Sequence, residues 1–278
     1  MTSTKFDREC PKVGVVIPAR NEEKYLPKTL LALRKQTLKP FMIVVIDDGS
    51  HDNTPLIAER YGAYVVRLRD RGFRSLGLPL VAEVINIGFD VLKKENVDFV
   101  LKLDADHILS HRYIEILVKA MIKDNTLVVT SGIILGERFS IDSPRGSGRI
   151  INAEWFKRIG FRYPVWWGYE TWLLFKALMD GYKVMVIPQA ISWVQRRTAW
   201  SPLEMYEWGR GMNALGYHPL YIIARSLMAA FKHGPKHFAY MMLGGILERT
   251  KKYPNINAFV KVYTLKHLIS KVLRPYTI

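Results

Sequence analysis

The chain has 278 residues, 49% of them hydrophobic and 24% charged, values that call for a packed core and exclude a disordered chain. Its formal net charge of +16 implies an anionic partner: nucleotide phosphates, nucleic acid or an acidic membrane surface. The single cysteine, Cys10, excludes an intramolecular disulfide and a thiolate metal cluster, and points to a reducing compartment.

The first half alternates strand and helix signals. Val13–Pro18 is an apolar, β-branched run, and Leu26, Leu30 and Leu33 then repeat at helical spacing as one buried stripe. Phe41–Ile46 predicts a second strand ending in Asp47-Asp48-Gly49-Ser50. Thr54-Pro55 follows as helix cap and first helical residue, with Gly62 as the stop. Ala63–Leu68 predicts a third strand, Leu78–Lys94 a long helix, and Asp98–Leu103 a fourth strand running into Asp104-Ala105-Asp106. A helix over Arg112–Lys123 and a strand over Leu127–Thr130 complete this part. Continuous apolar strands between amphipathic helices predict an α/β fold with a mostly parallel sheet covered on both faces. In such sheets ligands bind beyond the carboxyl ends of the strands, where both acidic clusters fall.

After residue 131 the rhythm changes. Ser140–Gly148 is a long Gly/Ser/Pro/Arg loop of the functional or mobile kind. Strand Arg149–Ala153, an aromatic run (Tyr163, Trp166, Trp167, Tyr169), helix Thr171–Asp180 and strand Lys183–Ile187 follow. Ser201-Pro202-Leu203-Glu204 is a capping box that starts a helix, and further helices are expected near 219–231, 236–250 and 256–271.

Asp104 and Asp106 stand at i, i+2, which in extended backbone points both carboxylates to one side. Such oxygens suit Mg²⁺ or Mn²⁺, which take the rest of their ligands from phosphates and water. A metal there would neutralise charge on a departing diphosphate. A solvated loop whose Asp caps the next helix would use the same residues. Asp48 and Gly49 can meet a base or ribose, Gly permitting close backbone approach, or can form a plain turn. Glu170 is either a carboxylate raised in pKa by a partly desolvated aromatic pocket, able to take an acceptor's proton, or a first-turn Glu favoured by the helix dipole. Trp166 and Trp167 can stack on a sugar, touch a lipid or sit in a core. Arg71, Arg74, Arg196 and Arg197 fall in predicted loops as candidate diphosphate contacts. His107 and His111 lie close to the triplet, His107 as a neighbour rather than a ligand, since oxygen-rich sites rarely need imidazole.

In chain order, VGVVIPARNEE, IDDGSHDNT, Asn86-Ile87-Gly88, LKLDADHIL and GYETWLLF resemble successive elements of the family 2 glycosyltransferases, inverting enzymes with the GT-A fold. The resemblance implies a nucleotide-sugar donor, a UDP-sugar or GDP-mannose, and a divalent metal. Pro18, Ala19, Arg20, Glu22, Asp48, Gly49 and Arg74 would then surround the donor, with Asp104 and Ala105 beside it. Asp104 would meet ribose or metal-bound water, and Asp106 would ligate the metal. Glu170 takes the family's catalytic Asp position, Leu173 matching the family's Leu. Many members complete the metal site with a His after the next strand. Here Gln195 is the one side chain in that stretch able to coordinate, or Arg196 or Arg197 takes over charge neutralisation. The segment also resembles the polyprenyl-phosphate sugar transferases.

The expected organisation is a GT-A catalytic domain over 1–200, with a Rossmann-like nucleotide-sugar half over 1–130 and an acceptor half over 131–200. A basic, amphipathic helical region over 201–278 follows. From Trp200 onward eleven Lys/Arg stand against three Asp/Glu, and no acidic residue follows Glu248. These helices either lie on an anionic membrane surface or pack on the catalytic domain. The expected acceptor is a glycan or polyprenyl-phosphate lipid, presented at a membrane. No apolar signal core and no run of about 18 apolar residues occurs. The expected location is the cytoplasm, with a peripheral seat on the membrane's cytoplasmic face. Nucleic acid is not expected, because nothing resembles a recognition module. Two rivals stand. A nucleotidyltransferase would carry a Gly-rich activating loop where this chain has PARNEE. A non-catalytic nucleotide- or carbohydrate-binding protein would tolerate Glu170→Gln.

Overall fold

In the computed structural model, residues 10–73, 78–196 and 201–273 are described, and they fall into two compact units. The first takes in 10–73, 83–163 and 181–196, and the second 78–82, 164–180 and 201–273. The boundary expected at residue 200 lies outside the described residues. Residues 164–180 group with the C-terminal helices, because their aromatic side chains pack there.

The first unit carries β1 (Val13–Ala19), α1 (Leu26–Arg34), β2 (Met42–Asp47), α2 (Thr54–Arg60), β3 (Tyr64–Arg67) and most of α3 (Leu80–Lys94). It continues with β4 (Phe99–Lys102), β5 (His107–Leu109), α4 (Tyr113–Lys123), β6 (Leu127–Ile134), β7 (Arg149–Asn152), α5 (Ala153–Arg158) and, after α6 (Tyr169–Met179) of the second unit, β8 (Lys183–Val194). The strands form one sheet in the order β3-β2-β1-β4-β7-β6-β8-β5. Its first four strands are parallel, and β7 and β5 bring antiparallel pairings into the other half.

Strand β1 shows why the sheet is covered on both faces. Val13, Val15, Ile17 and Ala19 point into the core built with Leu26, Leu30 and Leu33 of α1 and Ile114 and Leu117 of α4. The alternate residues face α3. A Cβ on Gly14 would strike Leu92, and one on Gly88 would lie 2.6 Å from Val16 and Ile46. Gly88 therefore lets the helix approach the sheet. The Asn86 side chain fixes it at that height, accepting from the Tyr163 N–H and donating to the Tyr163 carbonyl, both at 2.8 Å.

Three expectations change, and one strand is additional. Thr54 lies inside α2 rather than capping it; Asn53 is the cap, and the Thr54 hydroxyl accepts instead from the Glu22 N–H at 2.7 Å. Strand β6 runs on to Ile134. Strand β8 runs on through Pro188 to Val194, because its pairing with β6 shifts register between Ser131 and Ile133 and the proline falls in that interruption. Strand β5 was too short to be legible, and it pairs antiparallel with the end of β8.

The second unit is helical beyond α6: α7 (Pro202–Leu215), α8 (Pro219–His233), α9 (Pro235–Met242) with a π turn at Leu243–Leu247, and α10 (Asn257–Leu273). The Ser201 capping box forms as expected. One core joins Phe175, Ala214, Leu215, Tyr253, Ile256 and Val260, and Trp166 and Trp167 pack on it. No helix among the described residues is long and apolar enough to cross a membrane.

Candidate functional site

Because β2, β1 and β4 are adjacent and parallel, the loops leaving their carboxyl ends lie side by side. These loops carry Arg20 and Glu22, then Asp48 and Gly49, then Asp104-Ala105-Asp106. Pro18 and Ala19 end β1 beneath them.

The Arg20 guanidinium donates to the Asp48 carbonyl and, at 2.7 Å, to the Asp70 carboxylate. Arg71 reaches the Asp48 carboxylate at 2.6 Å. Gly49 has a φ of +74°, and a Cβ there would lie 2.5 Å from the Asp70 backbone, so only glycine lets the two loops meet. The Asp70 carboxyl is drawn down to about 2, chiefly by the Gly72 N–H and then by Arg20.

The acidic triplet is a turn, not extended backbone: the His107 N–H donates to the Asp104 carbonyl at 3.2 Å. The i, i+2 spacing therefore does not set the two carboxylates to one side, and each meets its own cation. Asp104 takes the Lys102 ammonium at 2.7 Å, and Asp106 takes Arg196 Nε at 2.8 Å. Partial loss of hydration works against the Asp104 charge, but the Lys102 ammonium and the Ser147 hydroxyl together offset it, so this half-exposed carboxyl stays below the usual range. The turn is held from two sides. The Thr29 hydroxyl of α1 donates to the Ala105 carbonyl at 2.7 Å, and the Asp104 N–H donates to Ser147 Oγ at 2.9 Å. Ser147 Oγ also meets His107 Nδ1 at 2.7 Å. His107 is buried, and burial pushes it down to about 4 despite Asp104 and Asp106, so it stands as a neutral neighbour of the triplet. His111 is exposed.

Pairing of β5 with β8 carries residues 195–196 to the triplet, the Gln195 N–H donating to the Asp106 carbonyl at 2.9 Å. The Gln195 amide nitrogen turns to α1 and donates to the Tyr25 carbonyl at 2.9 Å. Arg196 bridges Asp106 and Glu22, each at 2.8 Å, and lies 4.5 Å over the Tyr25 ring. Glu22 thus links the first-strand loop to the triplet. Arg74 and Arg197 lie outside the described residues.

Glu170 belongs to the second unit, in the first turn of α6 behind the left-handed Gly168. In the same unit the Trp166 indole donates to the Lys251 carbonyl at 2.9 Å, and Arg210 lies 4.1 Å over the Trp167 ring. Lys102, Ser147, Asp70, Thr29 and Tyr25 were not singled out from the sequence. Lys102 had a signal, a lone charge in the apolar run DFVLKL two residues from Asp104.

The donor set suits a hard divalent cation in part. Carboxylate oxygens are the right chemistry, yet among the described residues no group of three or more His, Cys, Asp or Glu could hold a metal. Two carboxylates with phosphates and water are enough for Mg²⁺ or Mn²⁺, provided that Arg196 leaves Asp106.

The family model described as glycosyl transferase family 2 matches residues 14–178. The putative glycosyltransferase EpsH of Bacillus subtilis is 29% identical over 121 residues, which cover 44% of this chain and 33% of that protein. The undecaprenyl-phosphate 4-deoxy-4-formamido-L-arabinose transferase of Serratia proteamaculans is 36% identical over 105 residues, 34% of this chain and 29% of that protein. The chain thus spans about a third of the length of these two relatives. The mannosyltransferase PcManGT of Pyrobaculum calidifontis, solved with GDP-Man and Mn²⁺, is similar in fold, with a TM-score of 0.58 at 16% identity, over 96% of this chain and 77% of that one.

Proposed function

The chain belongs to glycosyl transferase family 2, and we propose that it is an inverting, divalent-metal-dependent glycosyltransferase that moves a sugar from a UDP-sugar or GDP-mannose to a membrane-presented acceptor. The observation that carries this is the convergence of the Arg20–Glu22, Asp48–Gly49 and Asp104–Asp106 loops at one carboxyl edge of the sheet. Arg20, Asp48 and Gly49 serve the nucleoside, and Asp104 and Asp106 face the diphosphate. A divalent cation held by Asp106 and Asp104 would supply electrostatic stabilisation of the leaving diphosphate.

Glu170 takes the proton of the acceptor hydroxyl as its oxygen bonds the anomeric carbon and the bond from that carbon to the diphosphate breaks. One displacement inverts the anomeric centre. A lipid-linked acceptor, a polyprenyl phosphate or a glycan carried on one, suits the second unit. Helix α8 leaves Leu227, Met228 and Phe231 exposed, Phe231 by 90%, next to Lys232 and His233. An apolar stripe flanked by basic residues is how a helix lies in an anionic interface.

The test is diphosphate release from a panel of nucleotide-sugars with Mn²⁺ or Mg²⁺, in wild type, Asp106→Ala and Glu170→Gln. We expect metal-dependent release, abolished by Asp106→Ala. Glu170→Gln should lower transfer by about 10²-fold or more while nucleotide binding persists. No turnover with any donor would sink the enzyme reading, and full activity in Glu170→Gln would sink the base assignment. Flotation with acidic phospholipid vesicles, lost in Phe231→Asp, tests the membrane seat.

A further inference from the structure

Asp106 is not a waiting ligand. Its Oδ2 accepts from Arg196 Nε at 2.8 Å, and Arg196 Nη2 donates to Glu22 Oε1 at 2.8 Å. The Asp106 and Glu22 side chains are only 15% and 5% exposed, so water screens this triad far less than a surface pair. Tyr25 supports the guanidinium from below, 4.5 Å from its ring centroid. The main chain keeps the partners together through the Gln195 N–H on the Asp106 carbonyl and the β5–β8 pairing. A guanidinium does not give up its proton near neutral pH, so only movement of Arg196 can free Asp106.

We propose that Arg196 is a resident counter-cation of Asp106 which a divalent ion must displace, so that the ion enters together with a nucleoside diphosphate whose phosphates give the guanidinium a new partner. This rests on Asp106 being a metal ligand. A guanidinium fork matches phosphate oxygens as well as it matches a carboxylate, so the exchange conserves its pairing. Without a diphosphate, the ion finds Asp106 occupied and Asp104 tied to Lys102. Metal affinity in the ligand-free protein is therefore held down by one side chain, and nucleotide and metal binding are coupled through it.

The test is Mn²⁺ binding followed by the electron paramagnetic resonance signal of the free ion, with and without UDP or GDP. The proteins are wild type, Arg196→Gln, Arg196→Lys, Asp106→Asn and, as a control, Arg158→Gln on the exposed face of α5. We expect Arg196→Gln to tighten binding of Mn²⁺ alone by about tenfold, within the usual range of coupling between sites, and to shrink the further gain from the diphosphate. Arg196→Lys, which keeps the charge without the fork, should fall between, and Arg158→Gln should match wild type. Melting curves establish that each variant is folded; should Arg196→Gln fail to fold, Arg196→Lys alone decides by the same criterion. Unchanged or weaker binding of Mn²⁺ alone in the folded Arg196 variants overturns the competition. If Asp106→Asn leaves Mn²⁺ binding intact with diphosphate present, the metal-ligand assignment fails instead.

Discussion

Ser147→Ala tests whether the loop over residues 140–148 builds the acidic turn. Ser147 Oγ accepts from the Asp104 N–H at 2.9 Å and pairs with His107 Nδ1 at 2.7 Å. Alanine strands both groups. His107 is 1% exposed, and its Nε2 already has no hydrogen-bond partner among the described residues, so the variant leaves that ring wholly unsatisfied. The loop cannot readily close over the gap. Arg149, itself buried, grips the carbonyls of Arg145 and Pro144 at 2.9 and 2.7 Å, and the Tyr113 hydroxyl donates to the Gly148 carbonyl at 2.9 Å. A stranded buried polar group costs about 1–3 kcal/mol, so two predict a loss of about 2–6 kcal/mol. Urea unfolding should show it as a lowered midpoint at unchanged slope. A turn displaced by even a fraction of an ångström should also weaken nucleoside diphosphate binding, by roughly tenfold, since small misplacements at reacting centres cost up to about 10². A midpoint within about 0.5 kcal/mol of wild type, the range of neutral surface changes, together with unchanged nucleotide affinity, would refute the reasoning.

Gly88→Ala places a Cβ 2.6 Å from Ile46 Cδ1 and Val16 Cγ1, and the overpacking should cost about 1–3 kcal/mol in the urea midpoint. A compensating Val16→Ala should recover part of it, and no loss in the single variant would mean that α3 is free to shift. The Asp70 carboxyl, drawn down to about 2 in the folded protein from its ordinary 3.8, binds fewer protons folded than unfolded between those values. Its contribution to stability is therefore complete above about pH 4 and lost as pH falls through about 2. Carbon-detected NMR should find it titrating there, and Arg20→Gln should move the midpoint upward; an unmoved midpoint would show that Arg20 contributes nothing.

Local chemistry made the nucleotide half legible. VGVVIP and FMIVVI are continuous apolar runs because β1 and β2 are buried on both faces. Their polar exits had to gather at one edge once those strands ran parallel. Long-range pairing hid the rest. Arg196 reaches Asp106 because three residues of β5 pair with the end of β8, and neither a three-residue strand nor one continuing past Pro188 leaves a periodic signal. The loop at 140–148 has the composition of a mobile segment, and a buried arginine at the start of β7 orders it instead. Trp166 and Trp167 show the limit of composition, since sugar platforms and core aromatics look alike until their neighbours are known. Here those neighbours are the helical core of the second unit.

The Lys102–Asp104 pair should respond unequally to loss of its two members. The two side chains are unequally wet: Lys102 is 5% exposed and Asp104 46%. Lys102→Met removes the buried member, replaces it with an apolar chain of similar length, and leaves a carboxylate that water can solvate. Asp104→Asn does the reverse, taking the carboxylate from an ammonium with little access to water. Losing one member of a buried charged pair costs more than replacing the buried charge with a hydrophobe. Asp104→Asn should therefore destabilise by about 1–3 kcal/mol, and Lys102→Met by less than about 1 kcal/mol, the range of exposed ion pairs. Reduced activity in Asp104→Asn would then mix loss of a donor-site oxygen with loss of folded protein, and comparison at equal folded fraction separates the two. Equal destabilisation by both substitutions would mean that the unequal exposure of the two side chains does not set the cost, and would refute the asymmetry.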